Sequence, residues 1–268
     1  MNSDEKMEIL KKREYVVVKG NELIQKSRFE LSLQEQKTIA YICSMIKPVT
    51  QETRSKYDQN ISWQLKYEFD IRDYCKICGL DYNNGKNYLD VKATLKKLRD
   101  RSMWLSLEDG TKVLVGWLTK AKINQRSGIV AITLDEDLVP YLFDLGQRFT
   151  QYQLYNILAM KSAFSIRIYE LLKSYAFQGT KTFDIDELKH LLMVDSVKSY
   201  KNFKDFRMYV LEKAQKEINE LTDIQIFYEP ITKGRKVVKV KFQIEQKSVI
   251  DRMTAQRVID KKLNTENT

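Results

Sequence analysis

Histidine is almost absent from this chain. His190 is the only one among 268 residues, so a two-imidazole metal site cannot be assembled, nor the histidine pair with which rolling-circle nucleases hold a metal beside a nucleophilic tyrosine. A Ser-His-Asp relay has one possible imidazole, and its plainer role is a partly exposed helix residue. Cysteine is scarce as well: Cys43, Cys75 and Cys78 cannot all pair, a usage that suits a reducing compartment. Cys75-Lys76-Ile77-Cys78 has the spacing of half a zinc site, yet no second pair completes four ligands, and two small buried residues on a helix is the better reading. No Gly-x-x-x-x-Gly-Lys-Ser/Thr loop is present, which argues against a P-loop ATPase. No uncharged apolar run approaches the ~18 residues of a membrane span, and Met1–Lys6 has no signal-peptide core. Carboxylates are plentiful but scattered over helical faces. The expectation is a non-enzymatic, cytoplasmic protein with no cofactor, no metal and no membrane contact.

What is abundant is positive charge. Lys and Arg number 46 against 36 Asp and Glu, a net +10, which favours anionic partners such as nucleic acid. With 43% hydrophobic residues the chain is not wholly disordered, and its length allows two domains with their own cores.

The stretch from Phe183 to Glu245 is the most informative. Phe183-Asp184-Ile185 reads as a short strand, and Asp184 or Asp186 can cap a helix carrying Leu188, Leu191 and Leu192 at helical spacing. The periodicity breaks over Val194–Tyr200. Asn202, with Asp205 three residues on, then opens a second helix whose Phe203, Phe206, Val210, Ala214, Ile218 and Leu221 share a face, leaving Lys204 and Arg207 elsewhere. After Asp223 the period changes to two: Ile224, Ile226 and Tyr228, a turn at Thr232-Lys233-Gly234-Arg235, then Val238, Val240, Phe242 and Ile244. Lys233, Arg235, Lys236, Lys239 and Lys241 lie on this hairpin with no acidic residue between Pro230 and Ile244. Alone, such a run is as easily a solvated edge that blocks strand addition. Beside a helix whose leading end carries Lys201, Lys204 and Arg207, it reads as the wing of a DNA-binding winged helix-turn-helix.

Upstream, residues 1–14, charged and short of apolar side chains, read as a flexible arm, frayed or weakly helical. Val16–Val18 is a strand, Ser32 and Glu35 form a capping box ahead of a helix that ends before Pro48, and 49–62 is a loop. Phe69-Asp70-Ile71 then matches Phe183-Asp184-Ile185, Asp81 matches Asp195, and Asn87 with Asp90 matches Asn202 with Asp205 after a one-residue slip, so the same unit occurs twice. In this copy Val91, Leu95 and Leu98 pack while Lys92, Lys96 and Arg99 line the opposite face, as a second DNA contact or a solvated surface. Strands over Ser102–Leu107, Lys112–Thr119 and Ile129–Leu134 make a larger wing. With Trp104 and Trp117 it could pair with a second subunit, although strand aromatics are more often core. Thr150 and Gln153 suggest another capping box before helices over 151–160 and 162–177. Tyr152, Tyr155, Tyr169 and Tyr175 there could stack on bases or simply pack. The expected division is an arm at 1–14, winged helices at 15–146 and 147–247, and a tail at 248–268, an α+β chain of two tandem winged helix-turn-helix domains.

With both units in hand, the chain resembles the iteron-binding plasmid replication initiators. The resemblance is carried by Val16–Leu23, Leu31–Lys37, Ile168-Tyr169-Glu170-Leu171-Leu172, Ser199-Tyr200, Asp205-Phe206-Arg207, Glu217-Ile218-Asn219 and Lys233-Gly234-Arg235-Lys236, in order from about Tyr15 to Glu245. It implies binding to directly repeated double-stranded origin DNA as a monomer, help in opening the duplex, recruitment of host replication proteins, and repression of the protein's own promoter as a homodimer. It also implies that Arg207 enters the major groove, where an arginine reads guanine. Lys198, Ser199, Lys201 and Lys204, beside Tyr200, would anchor phosphates, and Lys233, Arg235, Lys236 and Lys239 would serve the wing. Met208 and Tyr209 stand where some relatives carry further arginines, so their base preference does not transfer. A winged-helix transcriptional repressor without a replication role and a non-DNA-binding adaptor are the alternatives.

Overall fold

The computed structural model describes residues 3–50, 62–80, 85–107, 109–146 and 148–265, with the backbone alone for 3–6, 85–87, 264 and 265. The arm expected to be frayed or weakly helical is a helix, α1 (Ser3–Arg13), and its C-terminal end is anchored. Ile9 is buried, and the Arg13 guanidinium donates from Nε to the Ile77 carbonyl at 2.9 Å and from Nη2 to that of Lys76 at 2.8 Å. A cation over carbonyls at a helix C-terminus is favourable. Lys12 adds an ion pair with Asp73 at 2.9 Å. The charges are plain in the sequence, but their partners lie 61 to 64 residues away.

β1 (Val16–Gly20), α2 (Asn21–Gln25) and α3 (Leu33–Met45) follow. α3 opens with the expected capping box, in which the Ser32 hydroxyl accepts from the Glu35 N–H and the Glu35 carboxylate from the Ser32 N–H at 2.8 Å. After β2 (Val49–Thr50), most of the expected loop lies outside the described residues.

The first winged helix comprises β3 (Lys66–Asp70), α4 (Ile71–Cys78), α5 (Gly85–Asp100), β4 (Ser102–Ser106), β5 (Lys112–Gly116), β6 (Leu118–Ile123) and β7 (Ile129–Leu134). Asp81 lies outside the described residues. α5 already runs from Gly85, so Asn87 falls in its first turn rather than before it, and the Asn87 side chain is likewise outside the described residues. The strand expected over Lys112–Thr119 is two strands. β4 and β5 close their own hairpin, and Trp117 drops into the core against Phe29, ring centroids 5.3 Å apart, before β6 begins the wing.

α6 (Val139–Leu142), β8 (Asp144–Leu145), β9 (Phe149–Gln153), α7 (Tyr155–Leu158) and α8 (Ala163–Lys173) come next. β9 stands where a capping box and the start of a helix were expected. Thr150 and Tyr152 are buried while Gln151 and Gln153 are exposed, a period of two. The Thr150 hydroxyl donates to Asn21 Oδ1 at 2.6 Å instead of capping. β9 pairs antiparallel with β1 from Val16 opposite Gln153 to Gly20 opposite Phe149, which ties the segment after residue 147 to the chain start. Behind this pair Glu170 Oε1 takes Lys19 Nζ at 2.6 Å and the Tyr152 hydroxyl at 2.5 Å, a buried charge satisfied on two sides.

The second winged helix comprises β10 (Thr180–Asp184), α9 (Ile185–Leu191), α10 (Phe203–Phe206), a π-helical segment over Arg207–Leu211, α11 (Glu212–Leu221), β11 (Ile224–Lys233) and β12 (Lys236–Gln246). Its sheet order is β10-β12-β11, and that of the first copy is β3-β7-β6, all pairs antiparallel. Even the register repeats: Phe69 lies opposite Val130 and Phe183 opposite Val240. The internal repeat is therefore one of three-dimensional structure, with β4–β5 inserted in the first copy alone.

The expected C-terminal tail is instead a helix, α12 (Val249–Thr265). Ala255, Ile259 and Leu263 are buried, four residues apart on one face, and the helix packs on α7 and α11. Leu263 fills the space beside Gly79, where an added Cβ would come within 2.7 Å of it, and Lys262 pairs with Glu220 at 2.8 Å. α12 thus touches both winged helices.

Candidate nucleic-acid interface

In the second unit, Asn202 Oδ1 accepts the Lys204 N–H at 3.0 Å and starts α10, as an N-cap should. Phe206, Val210, Ala214, Ile218 and Leu221 are buried, with Phe203 half-buried. Leu211 is buried too. The π turn adds a residue and lets the adjacent Val210 and Leu211 both face inward, which a strict 3.6 period does not anticipate. The outward face carries Lys204, Arg207, Met208, Tyr209, Glu212, Lys213 and Lys216, all exposed; sequence reasoning named Lys204 and Arg207 as contacts and Met208 and Tyr209 as departures, and missed Glu212, Lys213 and Lys216.

Arg207 is held by its neighbour: Nε lies 3.1 Å from Glu212 Oε1, and both side chains are half exposed. An exposed pair of this kind contributes ~0–1 kcal/mol, so the guanidinium is oriented without being locked. Lys198, Ser199 and Lys201 are exposed on a short 3-10 turn just before the helix. Tyr200 on the same turn is half-buried, its ring 6.4 Å from that of Phe164 and 6.1 Å from that of Phe206. It packs the turn onto the core. Tyr152, Tyr155 and Tyr169 are buried, and Tyr175 packs on Phe183 at 6.0 Å, so the structure gives these four to packing rather than to base stacking.

The wing turns at Gly234, whose φ of 62 is the left-handed value a hairpin turn needs. Lys233, Arg235 and Lys236 are exposed at its tip and form no ion pair among the described residues. Lys239 differs, pairing with Asp184 of β10 at 3.5 Å, and Lys241 pairs with Glu229 of β11 at 3.2 Å. The carboxylates absent from the wing sequence itself are supplied by neighbouring strands.

Between the wing tip and the helices lies a cleft of 690 Å³ bordered by Lys189, Lys201, Arg235 and Lys236, with Asp186 and Asp195. Asp195 is already engaged, taking Arg28 Nη2 at 2.6 Å and facing His190 Nδ1 at 3.2 Å. His190, ahead of Arg28, holds its carboxyl below the usual carboxylate range. Lys189 was not anticipated, since nothing in its sequence context separates it from an ordinary solvated lysine.

In the first unit Lys92, Lys96 and Arg99 are exposed on α5, beside a groove of 690 Å³ shared with β6. Leu89, Ala93, Ala121 and Ile123 make this groove more apolar. Lys96 pairs with Asp100 at 2.6 Å, and Arg99 Nε donates to the Thr119 carbonyl at 3.0 Å. The two tryptophans part company: Trp117 is buried, while Trp104 is exposed on the β4–β5 hairpin opposite Leu114, also exposed. Cys43, Cys75 and Cys78 are buried and form no disulfide, and burial pushes the Cys78 thiol up to about 12. No group of three or more His, Cys, Asp or Glu side chains fit to hold a metal, and no helix long and apolar enough to cross a membrane, occurs among the described residues.

Comparison with known proteins agrees with this layout. The chain is 28% identical over 248 residues to a replication initiation protein of Escherichia coli, covering 90% of this chain and 73% of that one. It is 24% identical over 225 residues to an uncharacterized 27.6 kDa protein of Escherichia coli, covering 83% and 92%. The crystal structure of Pi initiator protein in complex with iteron DNA superposes with a TM-score of 0.66 at 19% identity, covering 88% of this chain and 99% of that one, which is a likeness of fold. Residues 16–173 match the family described as Initiator Replication protein, WH1, and 184–244 match Initiator Rep protein, WH2. With two winged helices in tandem, matched over most of its length, the chain belongs to the initiator replication protein family.

Proposed function

We propose that this protein initiates plasmid replication by binding directly repeated origin DNA, without enzymatic activity, in the cytoplasm. The observation that carries the reading is a set of exposed cations on the helix and the wing: Lys198, Lys201 and Lys204 at the leading end, Arg207 beside its partner Glu212, and Lys233, Arg235 and Lys236 at the wing tip, with Lys201, Arg235 and Lys236 on one cleft. Arg207 reads a guanine edge, where each good bidentate contact discriminates by ~1–3 kcal/mol. The lysines and Ser199 fix register on the phosphates. Lys239, already paired, steadies the wing. α5 with Lys92, Lys96 and Arg99 makes a weaker second contact on the same repeat. Binding energy is spent on DNA geometry, which favours opening of the origin and assembly of host replication proteins there.

A homodimer that represses the protein's own promoter is the second part of the proposal. Trp104 and Leu114 on the β4–β5 hairpin support it, because apolar side chains exposed together on a strand pair invite a partner. Trp104→Lys should then shift the sedimentation profile to monomer; a dimer that survives the change places the interface elsewhere.

The central test is anisotropy on the repeats beside the gene and on a shuffled duplex, across a salt series. Tight, repeat-selective binding with a steep salt slope is expected. Weak, unselective and salt-insensitive binding would favour an adaptor. A plasmid carrying gene and repeats should stop replicating with Arg207→Ala, whereas a transcriptional repressor would leave replication intact.

A further inference from the structure

We infer that the cleft between α9 and the wing tip is a built phosphate site, in which Lys189 from the first helix and Lys236 from the wing close on one phosphodiester of the DNA backbone from opposite walls. This rests on the DNA-binding reading above and extends it by assigning α9 a contact of its own.

The position of Lys189 is fixed from behind. Its ammonium lies 5.5 Å from the ring centroid of Phe206, which is itself fully buried in α10. A cation over an aromatic face is attracted to it by ~0.5–2 kcal/mol, so this lysine is less free to swing than a solvated one. Its surroundings also leave it wanting an anion. Burial lowers its pKa, Asp186 on the same helix pulls the other way, and the charge of Lys236 lowers it further. Two ammonium groups therefore repel across the cleft. Neither forms an ion pair among the described residues, and Asp195, the other carboxylate on the wall, is engaged by Arg28 and His190.

An anion with oxygens on two sides would relieve that repulsion, as a phosphodiester does. The location selects the DNA backbone as its source. The cleft opens between the leading end of α10, at Lys201 and Asn202, and the wing tip at Arg235, and at 690 Å³ it has room for a phosphate with its sugars. A strand lying along both elements passes its mouth. Occupancy would pin the wing to the helix pair, so that wing contacts and base reading rise and fall together.

The test uses the full chain, its Lys189→Met and Lys236→Met variants, the double variant and Lys189→Arg. Anisotropy is read against salt on the repeat and shuffled duplexes, and again on repeats bearing one neutral methylphosphonate at successive positions. Each Met variant should flatten the slope of log Kd against log salt by ~0.9, alike on both duplexes. Lys189→Arg should keep the slope, and one methylphosphonate position should weaken the full chain but leave Lys189→Met unaffected. The double variant should lose less than the two single losses together. Inorganic phosphate at constant ionic strength, read by thermal shift, is the second arm. A Lys189-dependent stabilisation by millimolar phosphate together with an unchanged DNA slope would overturn the DNA-backbone source in favour of the free ion. No response of Lys189→Met in either arm would overturn the site. If the unaltered chain fails to bind either duplex, the DNA-binding reading fails and this inference with it, whereas normal binding with a silent Lys189→Met fails this inference alone.

Discussion

The two winged helices share strand order and register yet treat equivalent residues differently. Asp70 and Asp184 both end the lead strand and both stand at a helix N-cap. Asp70 caps, accepting from the Arg72 and Asp73 N–H groups at 2.6 and 3.3 Å, whereas Asp184 makes no capping bond and pairs with Lys239. Nine residues on, each first helix is followed by a residue in the left-handed region, Gly79 at φ 70 and Met193 at φ 59. Beside α5 the cations are partly answered and interleaved with Leu89 and Ala93, while around α10 Arg207 and Lys239 are paired but Lys201, Arg235 and Lys236 on the cleft form no ion pair among the described residues. The comparison separates two things a repeat can keep: apolar spacing and turn geometry, which hold the fold, and unpaired charge, which can change without disturbing it.

The largest effect should come from the helix that touches both units. Leu263→Ala removes a fully buried side chain from beside Gly79, a change that typically destabilises by ~2–5 kcal/mol. Urea unfolding should show that loss in a single transition. A loss under ~0.5 kcal/mol, or one confined to a minor phase, would mean that α12 does not hold the units together.

Next in size is the contrast between the two exposed arginines, Arg207 and Arg99. Arg207→Ala should weaken binding to the cognate repeat by ~1–3 kcal/mol and relax its specificity. Arg99→Ala should change it by less than ~0.5 kcal/mol, because Arg99 sits on the weaker second contact proposed for α5, beside a more apolar groove. Anisotropy on matched and single-base-changed duplexes decides; equal losses would erase the distinction between the faces.

Much of this was legible in the sequence, and the exceptions have physical causes. The repeated Phe-Asp-Ile lead, the Ser32 capping box, the Asn202 cap and the basic hairpin each depend on residues close in the chain, and each is present in three dimensions. β9 was hidden because Thr150 and Gln153 satisfy a capping pattern that the alternation of Thr150 and Tyr152 overrides once β1 offers a partner. α12 was hidden because its buried stripe is a single line of three residues, Ala255, Ile259 and Leu263, and its partners lie on α7, α11 and Gly79. Lys189 and Leu211 were missed for similar reasons: one depends on a wing 47 positions later, at Lys236, and the other on a π turn.

The left-handed pair gives a smaller contrast. Gly79→Ala places a Cβ at φ 70, and that conformation costs an ordinary residue ~1–2 kcal/mol before any contact with Leu263. Met193→Gly should move stability by less than ~1 kcal/mol, since relief of the left-handed backbone offsets lost packing and the added flexibility of the unfolded chain. Thermal or urea unfolding of the two variants measures the asymmetry. Equal losses would mean that the two positions are not equivalent.

The smallest effect is the most pointed about function. Because Asp70 is a working cap, Asp70→Ala should destabilise the first unit by ~0.5–2 kcal/mol. Asp184→Ala lacks that bond to lose, and should cost stability only a few tenths of a kcal/mol, the worth of an exposed ion pair. It should do something its counterpart cannot. Releasing Lys239 from its carboxylate adds a free cation to the wing, so binding to any duplex should tighten modestly and the salt slope should steepen by up to ~0.9. Asp184→Ala combined with Lys239→Ala should return the slope to that of the unaltered chain. If Asp184→Ala leaves the slope unchanged, Lys239 does not reach the backbone even when free, and the DNA contacts of the wing end at Lys236.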